Sequence, residues 1–280
     1  MSFVQHGAQA ASRSSLRAAL VVALATAFAV GGLAVSPEPT AAAATKVVVV
    51  VGPAGSSTSN YIYNAKKLAT QARGYGATVV EIYSPYATWS KVKAAAQGAN
   101  LLIYLGHGNG WPSPYGSFQT YTKDGFGLNS TAGNGHYNVK YWGEYYIARD
   151  IKLAPNAVVV LNRLCYASGN SEPGHGYPTK SVAIQRVDNY GAGFLRSGAK
   201  AVFAEGISSA GFVLYGLYKT NKTMLQIFYS SSSATKTYAF SFKSSRTSGM
   251  VGALDPSSPG RYYRSIVGSL GTTATTWRGG

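Results

Sequence analysis

Two residues in this sequence have side chains suited to acyl transfer, and each follows directly on a strand-forming run. His107 lies in Gly106-His107-Gly108-Asn109-Gly110, immediately after LLIYL (101–105). Cys165, the one cysteine in the chain, follows Asn162-Arg163-Leu164 after AVVVL (157–161). An imidazole within reach of a thiol can take its proton during attack and return it to a leaving group. The backbone N–H groups of Gly108 and Cys165 would supply oxyanion donors, and the glycines flanking His107 would let a substrate carbonyl approach the main chain. Each residue also has a plainer reading. A cysteine after a buried strand serves as a small hydrophobe, and His-Gly is a common turn.

The elements that must position these residues are legible as hydrophobic patterns. KVVVVVG (46–52) reads as a strand buried on both faces. The next stretch places Ile62, Ala65, Leu68, Ala69 and Ala72 on one helical face. TVVEIY (78–83) is a second strand, Thr88 caps the short helix WSKVKAAAQ, and LLIYL is the third strand. This β-α-β-α-β order with short connections implies parallel strands. A long loop-rich insertion (106–156) precedes AVVVL, the fourth strand. The helix SVAIQRVDNYGAGFLRSG and a fifth strand, AKAVFA (199–204), come next, then AGFVLYGLYKTNKTMLQIFYS, a helical stretch broken near Thr220. The fold class expected is α/β: a mostly parallel sheet flanked by helices, with the insertion between strands three and four. Residues 45–229 form this domain, and the Ser/Thr-rich 230–280 reads as a weakly defined C-terminal extension. In such sheets ligands collect beyond the carboxyl ends of the strands, where both His107 and Cys165 fall.

Residues 1–44 read as a signal peptide. Arg13 and Arg17 form a basic start, AALVVALATAFAVGGLAV (18–35) an apolar stretch, and an Ala-rich run ends in an Ala-x-Ala pattern. A secreted, extracellular protein with no membrane association after cleavage is expected. One cysteine excludes an intrachain disulfide framework, so packing must supply the core. A secreted chain that keeps one thiol keeps either a reactive group or a liability. The formal net charge is +16, and +15 without residues 1–44 and their two Arg and one Glu. That excess favours anionic partners such as a cell-wall polymer or glycan. The cations are scattered, and no motif for specific nucleic-acid reading is present.

Strand-His-Gly, a long insertion, then strand-Cys with small residues behind it resembles the caspase-like cysteine peptidases, the group of caspases, gingipains, clostripain and CHAT-domain proteases. The His-to-Cys separation of 58 residues compares with ~50 in caspases. YGAGFLRSGAKAVFAEG (190–206) is similar to the helix and strand that follow the cysteine in CHAT proteins. The match covers roughly residues 46–206. The resemblance implies a caspase-like fold with strands three and four side by side, His107 as general acid/base, Cys165 as nucleophile and Gly108 assisting the oxyanion. LCYASG (164–169) departs from the Gln-Ala-Cys-x-Gly of caspases and is nearer the CHAT and gingipain pattern, so caspase substrate preference is not carried over.

The function expected is a secreted cysteine endopeptidase acting on peptide or protein substrates without a cofactor or metal. The alternative is a non-catalytic extracellular module of the same fold that holds an anionic cell-wall polymer or glycan. Asn109 and Trp111, next to His107, and Glu172 and Glu205, near the ends of strands four and five, are expected to line the substrate site. The two carboxylates would favour Lys or Arg beside the scissile bond. GPAGSSTS (52–59) lacks the Gly-Lys-Ser/Thr of a phosphate loop and is read as a substrate-lining loop. No Gly-x-Ser-x-Gly elbow is present. His107, His136 and His175 with Glu144 or Glu172 match no metal spacing.

Overall fold

The valine run becomes β1 (Lys46–Val51), and its alternate side chains enter two different cores. Val47, Val49 and Val51 face one layer, Val48 and Val50 the other, which is why the strand is apolar at every position. In this computed structural model, residues 44–279 are described. The stretch read as a signal peptide lies outside the described residues but for its last position.

After β1 come α1 (Thr58–Gly74), β2 (Thr78–Tyr83), α2 (Trp89–Ala96) and β3 (Leu101–Leu105). The insertion supplies β4 (Phe126–Asn129), β5 (Val139–Trp142) and α3 (Glu144–Asp150). Then follow β6 (Val158–Asn162), α4 (Lys180–Arg196), β7 (Ala201–Glu205), α5 (Gly211–Lys219) and α6 (Met224–Phe228). The chain closes with β8 (Phe240–Lys243), β9 (Val251–Leu254), β10 (Arg264–Gly268) and α7 (Ala274–Arg278). Eight strands form one sheet in the order β2-β1-β3-β6-β7-β10-β9-β8, and β4-β5 is a separate hairpin. The first five are parallel to one another and the last three pair antiparallel. The expected α/β class with a mostly parallel, helix-flanked sheet is what the chain forms. β3 and β6 are neighbours, with Leu105 opposite Asn162, so the chain leaves both strands at the same edge.

Helices α1, α5, α6 and α7 bury their apolar faces on one side of the sheet, and α2, α3 and α4 on the other. On α1 the expected face is the buried one: Ala65, Leu68, Ala69 and Ala72 are in the core and Ile62 packs against it. The break near Thr220 is the cap between α5 and the capping box of Thr223 and Gln226 that opens α6.

One expectation needs correction. Residues 230–280 are not an appendage. β10 lies inside the sheet between β7 and β9, and the described residues fall in one compact unit. The fully buried Trp277 of α7 donates its indole N–H to the Asn100 carbonyl at 3.0 Å. The insertion is loop-rich as expected, with β4, β5 and α3 as its regular elements, and parts of it enter the core. Phe126, Leu128 and Ile147 are fully buried, and Trp142 stacks on Trp89 with ring centroids 5.0 Å apart.

Candidate active site

His107 is held by the strand that precedes it. Tyr104 of β3 is buried, and its hydroxyl lies 3.0 Å from the His107 carbonyl and 2.9 Å from the Gly127 carbonyl. The same oxygen accepts the Gly127 N–H at 2.9 Å, tying the His107 turn to β4. A Cβ on Gly106 would lie 2.4 Å from that hydroxyl, and one on Gly108 would lie 2.0 Å from the Cys165 carbonyl oxygen. Both glycines are therefore demanded by the protein's own packing.

Cys165 sits in a turn built from unusual backbone. Arg163 and Tyr166, on either side of it, have φ of 65° and 69°, a region non-glycine residues enter at a cost. Four hydrogen bonds hold that turn. The Arg163 N–H donates to the Glu205 carbonyl at 2.7 Å, and the Tyr61 hydroxyl donates to the Arg163 carbonyl at 3.3 Å. The Asn162 amide donates to the carbonyls of Glu205 and Ser208, at 2.9 and 2.8 Å, which ties β6 to the end of β7. The thiol is free and half-buried.

His107 and Cys165 open onto one cleft of about 670 Å³, with Gly108, Asn109, Lys123, Tyr141 and Glu172 among its walls. A second pocket of about 370 Å³ adjoins it and shares Cys165, Glu172 and Pro173. His107 stands exposed at the mouth, yet the walls exclude enough water to lower its imidazole pKa, against the opposing pull of Glu172. Burial pushes the Cys165 thiol up to about 11, and the Glu172 charge adds to it. Both shifts favour the neutral forms, a thiol and an imidazole rather than a thiolate and an imidazolium. Among the described residues, neither the Gly108 nor the Cys165 N–H donates to another protein group.

The other sequence candidates divide. Asn109 lines the cleft, but its side chain is engaged: Oδ1 accepts from Lys123 Nζ at 2.8 Å and Nδ2 donates to the Thr122 carbonyl at 2.9 Å. Glu172 lines both pockets and accepts from the Tyr115 hydroxyl at 3.0 Å. Trp111 is misplaced by sequence adjacency. Its N–H donates to Asp124 Oδ1 and its carbonyl accepts from Asn189, so it lines a separate groove with Phe118 and Arg246. Glu205 is also outside the cleft. It is fully buried beneath Arg264, its register partner on β10, with Nε to Oε1 and Oε2 at 3.1 and 3.0 Å. Burial lifts its carboxyl to about 7, against the Arg264 charge. The 52–59 loop lines neither pocket; the Gly55 N–H instead donates to the His136 carbonyl at 2.7 Å.

Sequence reasoning missed Tyr104, Tyr61, Lys123, Tyr141 and Arg163. Tyr104 had a signal, a lone polar atom in an otherwise aliphatic strand. Arg163 lies two residues before the cysteine, where the apolar run of β6 has ended. The remainder enter from distant segments and leave no local trace.

Among solved structures, the chain is similar to an Arg-specific cysteine proteinase, gingipain R, at 14% identity and a TM-score of 0.33 over 82% of this chain and 61% of that one. It is also similar to a secreted C11 cysteine protease from Bacteroides thetaiotaomicron solved with an irreversible peptide inhibitor. That match has 10% identity and a TM-score of 0.37 over 75% of this chain and 66% of that one. The chain therefore spans less than two thirds of the length of either. No protein-family model and no curated protein matches it.

Proposed function

We propose that this protein is a secreted, caspase-like cysteine endopeptidase with Cys165 as nucleophile and His107 as general acid and base. One observation carries the reading: a histidine and the one cysteine leave adjacent parallel strands at the same edge and open onto a common cleft. Because both shifts favour the neutral forms, the imidazole takes the thiol proton as sulfur attacks the substrate carbonyl. The S–C bond forms as the carbonyl π pair moves to oxygen, which the free N–H groups of Gly108 and Cys165 receive. Collapse of this adduct breaks the C–N bond, and the imidazolium gives its proton to the departing amine. Water, deprotonated by His107, then attacks the thioester and restores the thiol.

The test is turnover of a mixed peptide library by wild type, Cys165→Ala and His107→Ala. Both single variants should lose turnover while keeping the fold, and the double variant should be no worse than either. Full turnover by either single variant overturns the dyad.

A second reading is favoured by the raised thiol and the +16 charge. It is a non-catalytic module of the same fold that holds an anionic wall polymer. A wild type that cleaves no peptide but binds teichoic acid with salt-sensitive affinity would support it.

A further inference from the structure

We propose that the sheet edge opposite the cleft is a docking surface for a linear phosphodiester polyanion, held by Lys46, Lys200, Lys219, Lys222 and Lys243. The surface deepens the wall-polymer reading above by giving it a site and a ligand chemistry, and it does not require a silent dyad.

The charge on the outside is more one-sided than the net value conveys. Residues 45–280 hold eight Asp and Glu, the nine of the chain less Glu38. Five of them (Asp124, Glu144, Asp188, Glu205 and Asp255) are buried. The other three are engaged: Glu81 by Arg73, Asp150 by Arg149, and Glu172 by the Tyr115 hydroxyl. No lysine among the described residues belongs to an ion pair. The outward field is therefore set by ammonium groups with no carboxylate beside them, and such a field gathers polyanions.

The topology lines several of these groups along one edge. Lys46 opens β1, and Lys200 immediately precedes β7. The register carries the same row across the antiparallel strands, from Ala201 to Gly268, to Val251 and to Lys243. β1 and β7 are three strands apart, as are β7 and β8, so the three lysines recur at roughly 14 Å. Helix α5 ends at the same level. Its last residue, Lys219, holds Nζ 4.8 Å from the centre of the Tyr75 ring, which lies just before β2. Lys222 gives its carbonyl to the Ala274 N–H at 2.8 Å, at the start of α7. Lys219, Lys222 and Lys243 are exposed, and half-buried Lys46 donates to the Gln97 carbonyl at 2.8 Å.

A cation at a helix C-terminus also offsets the helix dipole, and Lys219 does so for α5. Lys46, Lys200 and Lys243 stand at strand ends, where no such dipole calls for them. Ammonium groups spaced along an edge act as point charges, which suits phosphates strung on a chain. A carboxylate polymer is better met by guanidinium forks, and Arg278 of α7 is engaged by the Leu217 and Thr220 carbonyls that end α5. His107 and Cys165 lie beyond the other ends of the strands, roughly 15–20 Å away, so a polymer held here leaves the cleft open.

The experiment is fluorescence anisotropy with labelled poly(glycerol phosphate) over a range of salt concentrations. Wild type is compared with a variant in which Lys46, Lys200, Lys219, Lys222 and Lys243 are all changed to Gln. A control variant carries the same loss of charge elsewhere, at Lys66, Lys67, Lys91, Lys140 and Lys180. The edge variant should lose at least about tenfold in affinity, and its salt slope should fall by about 3, near 0.7 for each phosphate contact. The control variant should stay within about twofold of wild type. Cys165→Ala should bind as wild type does, which separates this result from the fate of the dyad. Circular dichroism checks the fold, and if the five-fold variant does not fold, Lys219, Lys222 and Lys243 changed together are read in its place. Equal losses in the edge and control variants would overturn the proposal, as would no binding by wild type or binding lost in Cys165→Ala. Tighter binding of labelled polygalacturonate or of a dT oligomer with the same number of charges would overturn the ligand chemistry.

Discussion

Gly108 lies so close to Cys165 that a single added carbon would reach 2.0 Å from the Cys165 carbonyl oxygen and 3.0 Å from its amide nitrogen. The turn after β3 and the turn after β6 are thus fitted main chain to main chain. Gly108→Ala must push the two turns apart, because the obstructing atoms belong to the backbone and cannot rotate away. It should cost about 1–3 kcal/mol of stability and, by displacing the dyad, about 100-fold in kcat. Urea unfolding and steady-state kinetics check the two together. A variant with normal kcat would show that the contact is not what positions the dyad.

The Glu172 carboxylate acts on both members of the pair with one sign. Its negative charge raises the Cys165 thiol and opposes the lowering of His107. Glu172→Gln should therefore lower both. Below its midpoint, alkylation of Cys165 by iodoacetamide should become faster at every pH, and its pH profile should move down from about 11. Mass spectrometry of the labelled protein from pH 6 to 11 reads this directly. A wild-type midpoint at or below the free-thiol value of ~8.5 would contradict the burial described for Cys165.

Much of the sheet was legible in the sequence because it is locally written. A strand buried on both faces must be apolar throughout, and Val47 to Val51, Leu101 to Leu105 and Val158 to Leu161 could be little else. The placement of His107 and Cys165 at one edge followed from those strands. What stayed hidden depends on partners remote in sequence. Arg264 looks like a solvent residue, yet it is buried because Glu205 and Asp255, on β7 and just beyond β9, converge on it. Without that pairing in view, β10 reads as tail and Glu205 as a free carboxylate. Trp111 failed for a related reason. Two residues of a turn suffice to send a side chain out of the cleft, and the bonds from Asp124 and Asn189 that fix its direction come from elsewhere.

The insertion joins the site to the core, so its removal should not spare the fold. Residues 131–146 include β5, Trp142 on Trp89, and Glu144, which accepts from Arg246 at 2.8 and 2.9 Å. Deleting them should give an unfolded or aggregated chain. Phe126→Ala, at a fully buried ring between Tyr104 and Phe194, should cost about 3–5 kcal/mol. Tyr137→Ser, at a side chain 78% exposed on the same insertion, should stay within about 0.5 kcal/mol. Chemical denaturation of the three variants separates core from surface. A folded, stable deletion variant would reverse this view of the segment.

The buried triad of Glu205, Arg264 and Asp255 should give the protein a pH dependence of its own. One guanidinium faces two carboxylates in the interior, so one negative charge is in excess. Asp255 is the better satisfied of the two, accepting from the Thr235 and Lys236 N–H groups and the Thr235 hydroxyl as well as from Arg264. Burial raises the Glu205 carboxyl from 4.5 to about 7, against the Arg264 charge. Between those values the folded state holds a proton that the unfolded chain has released. The stability this group contributes is complete below about pH 4.5 and is lost as pH rises through 7, at up to ~1.4 kcal/mol per pH unit. Glu205→Gln supplies a permanently neutral side chain of the same shape. It should be close to wild type near pH 5 and more stable than wild type above pH 7.5, with the slope between removed. Urea midpoints at pH 5, 6, 7 and 8 for the two proteins measure this, and a variant less stable than wild type at pH 8 would mean that Glu205 is ionised and paired in the folded protein.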